Sequence, residues 1–142
     1  MKRMIVLLAA VFFVTSMNNA KAEKTEWKEM KHFHIIMAKT FHPSEKDDLK
    51  PLKENAGKLT ASAKEWAAST IPDGYNKELT PKILSKLVTK CEDIENSVKS
   101  GASDKVLKKK IAAAHEVFHE IAEKCMPGKD AHGHDHHDGH KH

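Results

Sequence analysis

The stretch LKKKIAAAHEVFHEIAEKC, residues 107–125, decides the fold class of this chain. Its apolar residues recur every three or four positions, which places them in one stripe along a helix. Three upstream segments have the same period, and no segment has the alternation of two that is typical of a strand. The sequence therefore predicts an all-α fold. The stripe of this last segment is Leu107, Ile111, Ala114, Phe118, Ile121 and Cys125.

The three upstream stripes complete the predicted core. The links between the segments are short, so helices of roughly 18 to 23 residues are predicted to pack as an antiparallel up-down-up-down four-helix bundle. The stripes are Trp27, Met30, His34, Met37 and Phe41 in the first helix, Leu49, Leu52, Ala56, Leu59, Ala63, Trp66 and Thr70 in the second, and Leu84, Leu87, Cys91, Ile94 and Val98 in the third.

Proline, glycine and serine mark the predicted helix ends. Pro43 is expected to end the first helix, because proline disfavours helical backbone in the residue before it. Thr80 is predicted to cap the third helix, since a proline follows it in the first helical position. Gly101 is predicted to end the third helix and Ser103 to cap the fourth.

The N-terminal 22 residues have the three parts of a secretory signal peptide. A basic start is followed by the unbroken apolar run 4–14 and by a small-x-small cleavage site at 20–22. Because the apolar run is too short to span a bilayer, we expect no stable membrane anchor after cleavage. The predicted location is periplasmic or secreted. The predicted divisions are a signal peptide at 1–22, a four-helix bundle at 23–127 and a histidine-rich tail at 128–142.

Removal of the signal peptide changes the charge of the chain. The full sequence has 24 lysine and arginine residues against 20 aspartate and glutamate residues, a net charge of +4. The signal segment contains Lys2, Arg3 and Lys21, so the mature chain has 21 basic against 20 acidic residues, or +1. Because no basic stripe with interleaved aromatic residues is present either, the sequence predicts no nucleic-acid partner.

Four side chains are predicted to form a metal site inside the bundle. His115 and His119 are one helical turn apart, so both imidazoles project from one side of a helix and can bind one ion. At a rise of about 1.5 Å per residue, His34 and Cys91 lie in the same central slab as His115. The alternatives are a hydrogen-bonded core histidine at 34, a small core residue at 91 and a polar surface for the histidine pair.

The second cysteine is not predicted to pair with the first. Cys125 and Cys91 differ by about 20 Å in height in an antiparallel helix pair. A disulfide needs Cα atoms within about 7 Å, so the bundle does not permit this bridge. Cys125, at a helix end expected to fray, is left open as a thiol ligand, as half of an intermolecular disulfide, or as neither.

The C-terminal segment AHGHDHHDGHKH, residues 131–142, has a composition that cannot build a core. We expect the tail to be disordered without metal. Imidazole and carboxylate together suit Zn(II), Ni(II) or Cu(II), so the tail is predicted to gather such ions. Its candidate ligands are His132, His134, His136, His137, His140 and His142.

Two resemblances bear on the function. Residues 115–119, HEVFH, resemble the H-E-x-x-H motif of zincin metalloproteases, but the predicted fold has no strand to hold a peptide, so no enzyme is predicted. The overall pattern is similar to small periplasmic four-helix bundles, which include metal-binding proteins and the bundle cytochromes. This resemblance implies an alternative, in which non-covalent haem is held between Met30 and His115 as axial ligands.

The function predicted from the sequence is therefore metal binding outside the cytoplasm. The protein is expected to buffer, sense or deliver zinc, nickel or copper. Its expected partners are the metal ions and a metal transporter or metalloprotein client. The alternatives are a haem-binding electron-transfer bundle and a non-catalytic helical interaction module.

Overall fold

The computed structural model describes residues 26–126, which fold into four helices. The described range contains no strand, as the periodicity predicts. The predicted signal peptide and the histidine-rich tail lie outside this range. Among the described residues, none of the helices combines the length and the apolar character that a membrane crossing requires. The helices are α1 (Lys28–Glu45), α2 (Lys50–Ala68), α3 (Thr80–Lys99) and α4 (Asp104–Lys124).

The helices pack in a ring around one core. Each helix packs on the next along the chain, and α1 also packs on α4. The α1–α4 seam, as we call this last interface, has the sparsest contacts of the four. The predicted stripe of α4 is buried throughout, and those of α2 and α3 are buried except at Thr70 and Val98.

The predicted core face of α1 is wrong. His34 is exposed, and Met30 and Phe41 are only partly buried. Of the stripe within α1, only Met37 is in the core. The buried face of α1 is rotated about the helix axis from the predicted face. It consists of Phe33, Met37, Thr40 and Ser44.

Hydrogen bonding explains why the apolar pattern of the sequence does not predict this buried face of α1. The Thr40 hydroxyl donates to the carbonyls of Ile36 and Met37, each at 3.0 Å. The Ser44 hydroxyl donates to the carbonyl of Phe41 at 2.6 Å. Because both hydroxyls are satisfied inside their own helix, these two polar residues can be buried at little cost.

The helix ends follow the predicted punctuation in part. Gly101, with φ of 73°, and the residue after it donate to the carbonyls of Val98 and Ser97, which is a Schellman ending. The Ser103 hydroxyl accepts from the Val106 N–H at 3.4 Å and so caps α4. By contrast, α1 does not end at Pro43 but continues to Glu45.

The predicted cap of α3 is also wrong. Thr80 is the first helical residue, and its buried hydroxyl has no hydrogen-bond partner among the described residues. The turn before α3 is held by Asn76, whose side-chain oxygen accepts from the N–H groups of Glu78 at 3.1 Å and Leu79 at 2.8 Å. An asparagine turn therefore takes the capping role that a threonine before a proline suggests.

The link between α2 and α3 meets the start of α1 and the end of α4. The Trp27 indole N–H donates to the Ser69 hydroxyl at 2.8 Å, and its ring packs edge-on against Trp66 and Tyr75. The carbonyl of Cys125 accepts from the backbone N–H of the link at Asn76, at 3.1 Å. Cys125 is therefore buried, with 1% exposure, and does not lie at a frayed helix end. Both cysteines are free thiols.

Candidate metal site

Histidine and phenylalanine side chains alternate along the α1–α4 seam. The His115 ring of α4 stacks on the Phe41 ring of α1, with centroids 3.8 Å apart and planes 12° apart. The His34 ring of α1 stacks on the Phe118 ring of α4, at 5.1 Å and 9°. Each of the two helices thus contributes one histidine and one phenylalanine to the two stacks that join them.

The histidine pair of α4 has a geometry close to that of two ligands on one ion. The His115 and His119 ring centroids are 4.4 Å apart, with planes at 87°. Two imidazoles bound to one tetrahedral zinc ion have centroids about 5 Å apart, given metal–nitrogen distances of about 2.0 Å. The separation of the two rings is therefore compatible with chelation of one ion.

The two histidines differ in their access to solvent. His115 is half-buried, whereas His119 is exposed and borders an open groove of about 600 Å³ between α3 and α4. Lysine and glutamate side chains form most of this groove, and Lys86 and Lys124 both pair with Glu120 at its edge. An ion from solution can reach the pair from the side of His119.

Burial lowers the pKa of His115 below its ordinary value, and the positive charge of His119 lowers it further. The charge of His42 acts in the same direction, while the carboxylates of Glu116 and Glu45 oppose it. Because metals bind the neutral form of imidazole, a lowered pKa leaves the ring ready to bind near neutral pH.

His34 lies on the same seam, and among the described residues it does not complete a three-ligand group with the pair. Its stack on Phe118 at 5.1 Å, and the 5.9 Å between Phe118 and His119, limit the two imidazole centroids to at most 11.0 Å apart. The alternative of a hydrogen-bonded core histidine does not describe this side chain either, because it is exposed. Its main contact in the described structure is an aromatic stack.

Cys91 is placed in the core, away from the seam. Its exposure is 0%, and its backbone carbonyl accepts a hydrogen bond from the Thr60 hydroxyl at 3.1 Å. Burial, with a smaller contribution from the charge of Glu92, raises the pKa of the thiol to about 12. A thiol with so high a pKa stays protonated, and metals bind the thiolate.

The register of α1 against α4 differs from the predicted one. The Lys108 ammonium contacts Asp47 at 2.6 Å, so the end of α1 is level with the first turns of α4. His115 consequently lies beside Phe41, whereas the prediction placed it level with Met30, which is 11 residues and about 16 Å away along α1. The structure does not bring the two predicted haem ligands opposite each other.

A further histidine, which is not among the predicted ligands, lies near the pair. The ring of His42 is 5.5 Å from that of Phe41, and its Nδ1 is 3.1 Å from Glu45 Oε2. Within residues 26–126, no three histidine, cysteine, aspartate or glutamate side chains already stand in a metal-binding arrangement. The predicted ligands of the tail lie outside the described residues. Comparisons with protein-family models, curated proteins and solved structures give no match to this chain.

Proposed function

We propose that this protein is exported from the cytoplasm and binds a divalent transition metal there, in order to buffer, sense or deliver zinc, nickel or copper. The observation that supports the proposal most directly is the histidine pair of α4. His115 and His119 have ring centroids 4.4 Å apart, one imidazole is half-buried, and the other is open to solvent. Such a pair supplies two nitrogen ligands that zinc, nickel and copper all accept.

The histidine-rich tail adds a second kind of metal ligand to this proposal. Its six histidines and two of its aspartates lie within residues 131–142, a composition suited to loose binding of several ions. We propose that the tail gathers ions and that the pair of α4 holds one ion more specifically. A metal transporter or a metalloprotein client then exchanges ions with the protein.

We also propose that the four helices run in alternating directions, as an up-down-up-down bundle. Three contacts support this arrangement. Trp27, before α1, bonds to Ser69, after α2, and Asp47, after α1, pairs with Lys108, near the start of α4. Lys53 at the start of α2 pairs with Asp104 at 2.7 Å. In this arrangement His115 lies beside Phe41 in the second half of α1, and His119 lies one turn further along α4, at the groove between α3 and α4.

Zinc titration of a variant chain tests the function separately from the tail. In this variant, the tail-Asn protein, the six tail histidines of the full chain are replaced by asparagine. We expect it to retain one Zn(II) site by calorimetry and elemental analysis. His119→Ala should abolish or strongly weaken that site, whereas His32→Ala should not, because His32 pairs with Glu65 of α2, away from the seam. A tail-Asn protein that binds no Zn(II), Ni(II) or Cu(II) refutes a specific site in the helices.

A further inference from the structure

The last turn of α1 presents a histidine that already has a carboxylate partner. His42 Nδ1 lies 3.1 Å from Glu45 Oε2, and both side chains are more than half exposed. Histidines that bind metal through one ring nitrogen commonly donate the N–H of the other to a carboxylate, which fixes the tautomer and the direction of the ring. In His42, the contact with Glu45 leaves Nε2 free to bind.

His42 is also close to the histidine pair of α4. Because the Phe41 ring lies 3.8 Å from the His115 ring and 5.5 Å from the His42 ring, the two imidazole centroids are at most 9.3 Å apart. The charges of both His42 and Glu45 act on His115, which agrees with this proximity. Through Phe118, His34 is at most 11.6 Å from His115 and at most 11.0 Å from His119, so the carboxylate partner, and not distance, distinguishes His42 from His34.

We propose that His42, oriented by Glu45, is the third ligand that joins His115 and His119 on one Zn(II) ion across the α1–α4 seam. This inference rests on the proposed function and adds the ligand that α1 contributes. The donor set is then three imidazoles with one open position, which suits an ion that is exchanged with a partner.

The site forms by rotation of an exposed side chain. Ligands of one zinc ion have ring centroids about 5 Å apart, so the His42 ring must approach His115 by at most about 4 Å and His119 by at most about 9 Å. The His42 side chain is 65% exposed and its carboxylate partner Glu45 is 54% exposed, so the pair can turn together in solvent. His34, by contrast, must leave a nearly parallel stack on Phe118, and the described residues give it no carboxylate partner.

A matched pair of histidine–glutamate contacts provides the experiment. His32 and Glu65 are exposed to a similar extent as His42 and Glu45, with Nδ1 and Oε2 3.6 Å apart, but they lie on the α1–α2 side. In the tail-Asn protein, we expect His42→Ala to weaken Zn(II) affinity by more than about tenfold and Glu45→Gln by about 10- to 100-fold. His32→Ala and Glu65→Gln should leave the affinity unchanged.

The outcomes separate this inference from the proposed function. If the tail-Asn protein binds no Zn(II), the proposed site on α4 fails and the third ligand with it, while the proposed role of the tail is judged by the natural chain. If it binds Zn(II) and loses binding with His119→Ala, but His42→Ala has no effect, only the present inference is overturned. Nuclear magnetic resonance of the His42 ring nitrogens gives a second readout. In the tail-Asn protein without further substitution, the Nε2 resonance should shift when Zn(II) is added. A shift of the His34 ring nitrogens instead, with weaker binding in His34→Ala, also overturns the inference.

Discussion

Replacing His119 with alanine is expected to remove most of the stability that Zn(II) gives to the tail-Asn protein. A ligand that binds the folded state alone stabilises it by RT ln(1 + [L]/Kd), which is about 2.7 kcal/mol at a free concentration 100-fold above Kd. For a helical domain of this size, that free energy raises the melting temperature by roughly 10 °C. If loss of one ligand weakens binding about a hundredfold, the same Zn(II) concentration contributes only about 0.4 kcal/mol.

Of the two histidines in the pair, His119 is the one whose substitution removes a metal ligand with little effect on packing. His119 is exposed, so its truncation should change the stability of the metal-free protein by less than about 0.5 kcal/mol. His115 is half-buried and stacks on Phe41 at 3.8 Å, and aromatic stacks of this kind contribute about 1 kcal/mol. His115→Ala therefore mixes a packing loss with a ligand loss, whereas His119→Ala isolates the ligand.

The assay is thermal unfolding followed by circular dichroism at pH 7.5, with Zn(II) and with a chelator. The parent and His32→Ala should both melt at higher temperature in Zn(II), while His119→Ala should melt at nearly the same temperature in both conditions. The increase should fade below about pH 6, because protons compete for the imidazoles. An increase of equal size in His119→Ala would show that Zn(II) acts elsewhere and would contradict the reasoning.

Three further outcomes are expected. Deleting residues 129–142 from the natural chain should lower the number of Zn(II) ions bound in elemental analysis, with no loss of helical circular dichroism or of metal-free stability; a large loss of stability would mean that the tail packs on the helices. Phe33→Ala should lower the free energy of unfolding in urea by about 3 to 5 kcal/mol, because the ring is fully buried. Ile35 is 61% exposed, so Ile35→Ala should change that free energy little, and similar losses in both variants would contradict the core face of α1. Because the pKa of His115 is lowered on folding, the unfolded chain binds more protons, so metal-free stability should fall as the pH drops below about 6.5 and through the folded pKa. Urea unfolding at pH 7.5 and at pH 5.5 should show a smaller fall in stability for His115→Gln than for the unsubstituted protein, and an equal fall would refute this assignment.

The packing of α2, α3 and α4 was predictable because their core positions are apolar. Hydrophobic residues at helical spacing are buried wherever helices pack, so the sequence pattern and the structure agree in these three elements. Gly101 and Ser103 were predictable for a similar reason. A positive φ and a capping hydroxyl are local requirements, and few residue types meet them.

The orientation of α1 was not predictable from its pattern. Two of its buried positions, Thr40 and Ser44, carry hydroxyls that are satisfied by carbonyls of the same helix. A polar residue bonded in this way has the sequence signature of a surface position, so the pattern favoured the neighbouring face with Met30 and Phe41. Thr80 shows the reverse case, because a residue expected to cap a helix has a buried hydroxyl with no partner within residues 26–126.

The candidate site was predictable only where it depends on spacing within one helix. His115 and His119 are neighbours because four residues make about one turn, and no tertiary information is needed for that. Which residues of α1 face them depends on the register of two helices, and this is set by packing and by contacts such as that of Lys108 with Asp47. A shift of about three turns in that register brought Phe41 to the pair in place of Met30, with His42 next to it.

The effect of an ion bound to the histidine pair depends on whether that ion also binds α1. An ion held by α4 alone stabilises every state in which α4 is helical, including a state in which α1 has separated from it. An ion that also binds His42 stabilises only the state in which α1 is packed on α4, because both helices must be in place to bind it. The α1–α4 interface has the sparsest contacts of the four, so its opening is the separation that packing resists least. If the proposed site includes His42, metal binding acts on the interface with the sparsest contacts, and we expect uptake and release of the ion to be coupled to whether α1 stays closed on α4.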